Sequence, residues 1–182
     1  MNLYFRLLFV FMKIWLGQIK RWNEDSVLYF RVYPFDCDIN LHMTGSRYVG
    51  IADLGRMHLL GQMGILRSIV ERGLFPFANG IEITFIRPIK PFQKFKLRSS
   101  ITNWDEKYWY AEHTFEVGNK VCAAAIVRGV FVKNHSIVAM ENITTIIEED
   151  LLSPPEPVTI THWKKLLKVK KNRYSQDNAQ SQ

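Results

Sequence analysis

Four successive segments in the second half of the chain alternate apolar and polar residues, and this pattern leaves few possible folds. The alternating segments are 81–85, 94–101, 108–117 and, with fewer interruptions, 121–133. The connections between them are short, at Lys90-Pro91, Asp105-Glu106 and Gly118-Asn119. A period of two with short turns is typical of an antiparallel meander that buries one face. Such a sheet needs an apolar partner to cover that face.

The preceding segment predicts a helix with a suitable apolar side. Between about Ser46 and Gly61, apolar or small residues share one helical face, namely Tyr48, Ile51, Ala52, Gly55 and Leu59. The two smallest would let this face approach a sheet closely. A strand-like run, 26–33, precedes the helix, and a short second helix, 65–72, follows it. The order predicts an α+β fold in which a curled antiparallel sheet wraps a long central helix.

Further segments are expected at both ends of this unit. We expect an apolar and basic helix over 1–22, the main domain over 23–140, C-terminal helices over 141–172 and a disordered polar tail over 173–182. The C-terminal helices are expected at 142–150 and 158–171, separated by a proline-rich stop.

The net charge of +7 belongs mainly to the ends of the chain. Ten of the 24 basic residues lie there: Arg6, Lys13, Lys20, Arg21, Lys164, Lys165, Lys168, Lys170, Lys171 and Arg173. Basic patches can serve nucleic acid, anionic lipid or a phosphate-bearing substrate. The sequence carries no nucleic-acid recognition motif, so we expect no nucleic-acid partner. Two cysteines in unlike contexts form no disulfide framework, which favours a reducing, cytoplasmic location.

The N-terminal segment leaves two alternatives open. Its continuous apolar run, 7–12, is far shorter than the roughly 20 residues that a membrane span needs. A signal peptide also fits poorly, because no small-residue cleavage site precedes Lys20. A helix here could pack onto the domain or lie in a membrane interface. The second alternative would give peripheral contact with the inner face of a membrane through residues 1–22.

Titratable residues gather in the turn between the first strand and the central helix, which we call the motif turn (residues 35–48). Asp36, Asp38, Asn40 and His42 lie in it, and it ends at a helix N-terminus near Gly45. Carboxylates and an imidazole beside helix N–H donors suit acid/base chemistry. Each of the four residues also has an alternative role. The aspartates could cap the turn or hydrogen-bond to loop amides, and Asn40 could be an ordinary turn residue. His42 could orient Asp38, bind substrate, or only form hydrogen bonds within the loop.

The motif turn resembles that of the hotdog-fold acyl-CoA thioesterases, in the branch of 4-hydroxybenzoyl-CoA thioesterase. The matching residues are Asp36, Asp38, His42, Met43, Arg47 and Tyr48. Later segments fit as well, at 85–88, 104–106 and 127–131. The chain departs from the family pattern at Leu41, where the family has glycine, and at Thr44-Gly45, where it has an asparagine pair.

The resemblance implies a hotdog fold and hydrolysis of an acyl-CoA thioester without metal or cofactor. It makes Asp38 the base or nucleophile and places oxyanion-binding N–H groups near Gly45. We expect His42 to be a catalytic residue beside them. We expect Asn40, Thr44, Arg87 and Arg128 as substrate-binding residues, although an ion pair within the fold is an alternative for both arginines. Hotdog proteins of this type pair as homodimers or as dimers of dimers, which would cover exposed strand edges.

Two other functions remain as alternatives. The spacing Asp38-x-Asn40-x-His42 partly resembles the turn of hotdog enoyl-CoA hydratases. The basic, aromatic-rich ends could instead mark a non-catalytic module that binds acyl chains or acyl-CoA at a membrane surface. A metal site has little support, because no second histidine or cysteine cluster joins the motif turn. Cys37 has no activating base in sequence and is expected to be an idle thiol, and His113 is expected in the core.

Overall fold

The computed structural model describes residues 3–148 and 151–180, with side chains as far as residue 173. These residues form five α-helices and six strands. In chain order they are α1 (Leu3–Leu16), β1 (Ser26–Arg31), α2 (Gly45–Gln62), α3 (Leu66–Glu71), β2 (Phe75–Phe85), β3 (Lys94–Trp104), β4 (Trp109–Val117), β5 (Lys120–Lys133), β6 (Ser136–Val138), α4 (Glu141–Ile147) and α5 (Val158–Gln180).

The strands form one antiparallel sheet in the order β1-β3-β4-β5-β2, and β6 pairs with the end of β5. The predicted meander is confirmed for β3, β4 and β5, but β2 pairs with β5 at the far edge, and β1 takes the place beside β3 that a four-stranded meander would give to β2. Strand β2 also begins at Phe75 rather than near residue 81. The β5–β6 hairpin was not expected from sequence. Its turn uses Asn134 and His135, both in the left-handed region with φ of 48° and 65°. Without glycine at these positions, the usual sequence signal for such a turn is absent.

Helix α2 lies against the inner face of the sheet, on β1, β3 and β4. The closest approach is at Gly55, where a Cβ would lie 2.5 Å from Ser99 Oγ and 2.7 Å from Leu97 Cδ2. Ala52 is also buried on this face. The small residues predicted to allow close approach of helix and sheet do so, and the α+β arrangement of a helix wrapped by a curled sheet is confirmed.

Helix α1 packs on α2 and also reaches β1, where Phe9 lies edge-on against Phe30. Its inner side buries Arg6 and Val10, and Ile14 lies so close to Gly61 that a Cβ there would come within 2.6 Å. The alternative in which the N-terminal helix packs onto the domain is thus confirmed. Among the described residues, none of the helices combines the length and apolar character needed to cross a bilayer.

Helix α5 covers the outer face of the sheet, where Ile160 and Trp163 pack around Tyr110. Its backbone is helical to Gln180, so the helix runs beyond the expected end at residue 171. The reason is that no glycine or proline follows Pro157 to end the helix. The helix predicted over 142–150 is α4, and residues 149 and 150 lie outside the described part of the chain.

His113 is a core residue, as expected. It is fully buried on β4, and its Nδ1 lies 2.8 Å from Ser99 Oγ. Burial, with a smaller contribution from the nearby Arg56 guanidinium, lowers the pKa of His113 from 6.5 to about 3. The folded protein therefore keeps this imidazole neutral at pH values where an exposed histidine takes up a proton.

This difference predicts a loss of stability in mild acid. Below pH 6.5 the unfolded chain protonates His113, while the folded chain resists protonation until about pH 3. The free energy of unfolding should therefore fall by about 1.2 kcal/mol from this group as the pH drops from 6 to 5. Urea titrations at several pH values would measure the slope, and His113→Gln should flatten it. An unchanged slope in the variant would contradict this assignment.

Candidate functional site

The motif turn folds back on itself before it enters α2. A single turn of 3₁₀ helix, Pro34–Asp36, leads into an isolated bridge between Cys37 and Met43. The Asp38 N–H donates to the His42 carbonyl at 3.0 Å, and the Thr44 N–H donates to the Asp36 carbonyl at 2.9 Å. These backbone bonds close the turn and bring Thr44 to the N-cap position of α2.

Asp36 holds this turn to the rest of the fold. Its carboxylate is fully buried and accepts two hydrogen bonds from Arg6, at 3.1 and 2.5 Å. It also accepts the Tyr33 N–H at 2.9 Å, and Arg47 Nε lies 3.4 Å away. The structural alternative for Asp36 is therefore confirmed. Its partner comes from α1, 30 residues earlier in the chain.

Asp38 and His42 lie at the surface of the turn. Each side chain is 38% exposed, and Asp38 Oδ1 lies 3.6 Å from His42 Nδ1. The same oxygen accepts the Asn40 N–H at 2.8 Å. The other oxygen, Oδ2, has no hydrogen bond to any described residue. Asp38 thus caps the turn with one oxygen and keeps the second open to solvent, beside an imidazole.

Leu41, which replaces the family glycine, adopts a backbone conformation that glycine favours. Its φ is 57°, in the left-handed region, and its side chain is exposed. The departure in sequence therefore leaves a left-handed residue in the turn, at a cost of roughly 1–2 kcal/mol for a non-glycine residue.

Leu41→Gly should raise the free energy of unfolding by up to about 1 kcal/mol. It would relieve the left-handed strain, and the relief should exceed the roughly 0.5–1 kcal/mol that glycine loses in chain entropy. Urea denaturation would measure the change. Ile39→Gly is a matched control, because Ile39 is also exposed but its backbone lies outside the left-handed region. This variant should be less stable than the parent. A loss of stability in both variants would contradict the strain at Leu41.

A groove opens beside the motif turn, between the N-terminus of α2 and the end of β2. It is lined by His42, Met43, Gly45, Tyr48 and residues 85–88. A Cβ at Gly45 would point at the Phe85 ring, with Cζ 3.5 Å away. The N–H groups of Gly45 and Ser46, at the first helical positions, have no hydrogen-bond acceptor among the described residues. The groove therefore combines apolar walls with free donors at the positive end of a helix dipole.

The structure brings most of the predicted site residues together. His42, Gly45 and Arg87 line the groove, and Asp38 lies beside it through His42. Asn40 is exposed and contributes its backbone N–H to Asp38, while Thr44 Oγ1 lies 3.0 Å from Ser46 Oγ at the helix start. Phe85 and Ile86 also line the groove and were not among the predicted site residues.

Arg128 does not reach the groove. Its guanidinium stacks over the Tyr108 ring at 4.4 Å, and its Nε donates to Asn79 Oδ1 at 2.9 Å. Tyr108 belongs to the cluster beneath α5, on the outer face of the sheet. The structure thus separates Arg128 from the other predicted substrate-binding residues. The alternation along β5 accounts for this, because its neighbour Val127 faces the inner core.

Cys37 is a poor candidate for a nucleophile. Desolvation, followed by the charges of Asp36 and Asp38, raises the pKa of its thiol above the ordinary value. The thiol is therefore protonated near neutral pH, and the carboxylate is the stronger candidate base. Within the described residues, no group of three or more His, Cys, Asp or Glu side chains is arranged to hold a metal ion.

Comparison with known protein families decides the family of this chain. A family model described as the thioesterase-like superfamily matches residues 32–163, which include the motif turn, the groove and the whole sheet after β1. The chain belongs to this superfamily. The resemblance to the hotdog thioesterases, drawn from the motif turn, is confirmed.

Named relatives within the thioesterase-like superfamily match parts of the chain. A probable thioesterase of Saccharomyces cerevisiae is 31% identical over 101 residues, covering 53% of this chain and 44% of that protein. Protein THEM6 of Xenopus laevis is 25% identical over 134 residues, covering 72% of this chain and 63% of that protein. The matched regions thus span less than two thirds of the length of either relative.

Solved structures of low sequence identity share the fold. A probable thioesterase from Bartonella henselae superposes with a TM-score of 0.59 at 20% identity, covering 64% of this chain and 98% of that one. A 1,4-dihydroxy-2-naphthoyl-CoA thioesterase from Synechocystis gives 0.60 at 13% identity, covering 70% and 98%. These likenesses show the hotdog fold and leave the substrate of this chain open.

Proposed function

We propose that this protein hydrolyses acyl-CoA thioesters to the free acid and coenzyme A. The observation that carries the proposal is the position of Asp38 in a superfamily member. The resemblance of the motif turn to that of the hotdog thioesterases assigns Asp38 to the catalytic carboxylate position. One of its oxygens accepts no hydrogen bond from the described residues, and it lies beside a groove that ends at unpaired helix N–H groups. Membership of the thioesterase-like superfamily supports the reaction class.

The chemistry follows from these groups. Asp38 takes a proton from the attacking water, or attacks the thioester carbonyl directly, with His42 beside its Oδ1. Direct attack expels the thiolate and forms an acyl-aspartate anhydride, which water then hydrolyses to the free acid and the Asp38 carboxylate. The carbonyl oxygen, as it becomes negative, accepts hydrogen bonds from the N–H groups at the start of α2. One such donor contributes on the order of 3 kcal/mol to the transition state. The thiolate leaves readily, because a thiol has a pKa of about 8.5, so no metal or cofactor is needed.

Arg87 is the proposed contact for the coenzyme A phosphates. It lines the groove together with His42 and Gly45, and it has no ion-pair partner among the described residues. Asn40 and Thr44, at the rim of the same turn, are the proposed polar contacts for the rest of the substrate. The stacked position of Arg128 favours a structural role, so we propose Arg87 alone as the phosphate contact.

We further propose that the protein forms a homodimer through β2, alone or within a dimer of dimers. In the described chain β2 hydrogen-bonds on one side only, to β5, and its other edge is open. It exposes Phe75, Phe77 and Phe85, by 68, 62 and 54%. An open edge of 11 residues with exposed aromatic side chains favours pairing with a second copy. Because Phe85 also lines the groove, such a dimer would border the proposed site.

The experiment that tests the function is thiol release from short, long and aromatic acyl-CoAs by the full chain. Hydrolysis of at least one class, saturable in substrate, is the expected result. Loss of enone absorbance from crotonyl-CoA without thiol release would instead indicate a hydratase. Binding of acyl-CoA by calorimetry, without turnover of any substrate, would overturn the proposal in favour of a non-catalytic binding module.

A further inference from the structure

The side of α1 that faces away from the domain is apolar along its whole length. We call it the outer face; it consists of Tyr4, Phe5, Leu8, Phe11, Met12, Trp15 and Leu16. These side chains are between 42% (Phe11) and 84% (Trp15) exposed. Their spacing follows the turns of the helix, so they form one continuous stripe. An exposed apolar surface of this extent marks an interaction site rather than an ordinary surface.

The packing of α1 prevents this stripe from turning inward. On the opposite side, Leu3 lies against Gly50 and Ile14 against Gly61 of α2. Arg6 is bound in addition to the buried Asp36 carboxylate. The helix is apolar on both sides, but only the inner side has a partner within the described chain. The outer face must therefore be covered by something else.

The charges of the segment favour an anionic bilayer as that partner. Residues 3–22 contain Arg6, Lys13, Lys20 and Arg21 and no acidic residue. Lys13 and Arg21 are exposed, and Lys13 lies over the Phe9 ring at 5.7 Å. A second copy paired through the same face would bring two such basic segments together without a compensating acid, which opposes association. Anionic lipid headgroups would complement them.

We propose that the outer face of α1 docks into the interface of an anionic phospholipid bilayer, with the helix lying in the membrane plane. The aromatic residues at each end of the stripe, Tyr4 and Trp15, are types that favour the headgroup region. The apolar stripe enters the headgroup and acyl boundary, while Lys13, Lys20 and Arg21 meet anionic headgroups. The helix is then a structural part of the domain that also holds the protein on a membrane. This inference is independent of the thioesterase activity.

The test is co-sedimentation of the full chain with phosphatidylcholine vesicles, with or without phosphatidylserine. We expect binding that needs phosphatidylserine and weakens at high salt. The double variant Leu8→Ser/Trp15→Ser should bind about tenfold more weakly, because binding scales with the apolar area that enters the interface. Val70→Ser/Leu152→Ser is the matched control, since these residues are 69 and 85% exposed and belong neither to α1 nor to the basic helix α5. The control should bind like the parent.

Deleting the helix would be a poorer test, because it would also remove Arg6 from Asp36. Both double variants change exposed side chains, so circular dichroism and thermal unfolding should match the parent. Equal sedimentation of Leu8→Ser/Trp15→Ser and the parent would overturn the proposal.

Light scattering without lipid is the second experiment, and it measures the mass of each variant in solution. A lower mass for that variant alone would assign the outer face to a second copy and overturn membrane docking.

Discussion

Arg6→Met should lower the free energy of unfolding by about 3–5 kcal/mol, the range expected when one partner of a buried ion pair is removed. The side chains of Arg6 and Asp36 are 1 and 0% exposed, so neither charge can be compensated by water. Methionine keeps most of the side-chain volume. The loss would therefore come from leaving the buried Asp36 carboxylate without its buried cation, with only the more distant Arg47 Nε at 3.4 Å. Urea denaturation of parent and variant measures the difference.

Two further variants separate the ion pair from a general effect of mutation. The double variant Arg6→Met/Asp36→Asn should recover a large part of the stability, because it leaves no unpaired charge and the amide oxygen can still accept the Tyr33 N–H. Arg67→Met is the matched surface control, since Arg67 pairs with Glu71 but is 88% exposed, and its loss of stability should be far smaller than that of Arg6→Met. Equal losses for Arg6→Met and Arg67→Met would contradict this account.

The main fold could be predicted because its signals are local. Apolar and polar residues alternate with a period of two along each strand, and the spacing of Tyr48, Ala52 and Gly55 marks the face of α2 that meets the sheet. Short turns then predict a meander, which holds for β3, β4 and β5, whereas the pairing of β2 with β5 was not predicted. What local patterning cannot supply is a contact between distant segments. Arg6 looks in sequence like one more basic residue of an N-terminal patch, and its partner in the motif turn emerges only once α1 packs on α2.

The candidate site likewise contains a part that local sequence predicts and a part that only the fold brings together. The motif turn concentrates its chemical groups within a few residues, so Asp38, His42 and Gly45 could be named from sequence. The groove's opposite wall comes from the end of β2, and Phe85 reaches Tyr48 at 5.1 Å only through the topology of the sheet. Arg128 was expected at the substrate because it interrupts an apolar strand. That interruption instead reflects its place on the outer face, beneath α5.

Asp38→Asn should reduce kcat for thioester hydrolysis by about 10²–10⁴-fold while changing the thermal midpoint little. The amide oxygen of asparagine can still accept the Asn40 N–H, so the cap of the turn survives the substitution. What is lost is the basicity of the carboxylate and its negative charge beside His42. Thiol release under saturating acyl-CoA measures kcat, and differential scanning fluorimetry measures the midpoint.

A second turn aspartate separates catalysis from capping. Asp105 accepts a hydrogen bond at 3.1 Å from the N–H of Lys107, two residues later, just as Asp38 accepts the N–H of Asn40. Asp105, however, lies in the β3–β4 hairpin and not at the groove. Asp105→Asn should leave kcat unchanged, even though it weakens the ion pair with Lys164 and lowers the midpoint. If both variants lower the midpoint and spare kcat, Asp38 is a capping residue and the proposed chemistry fails. If only Asp38→Asn loses turnover, the open carboxylate oxygen is the group that acts on the substrate.

Mass spectrometry of the parent protein after a brief reaction with acyl-CoA would then separate the two roles of Asp38. An acyl group detected on Asp38 would assign this residue as the nucleophile rather than the base.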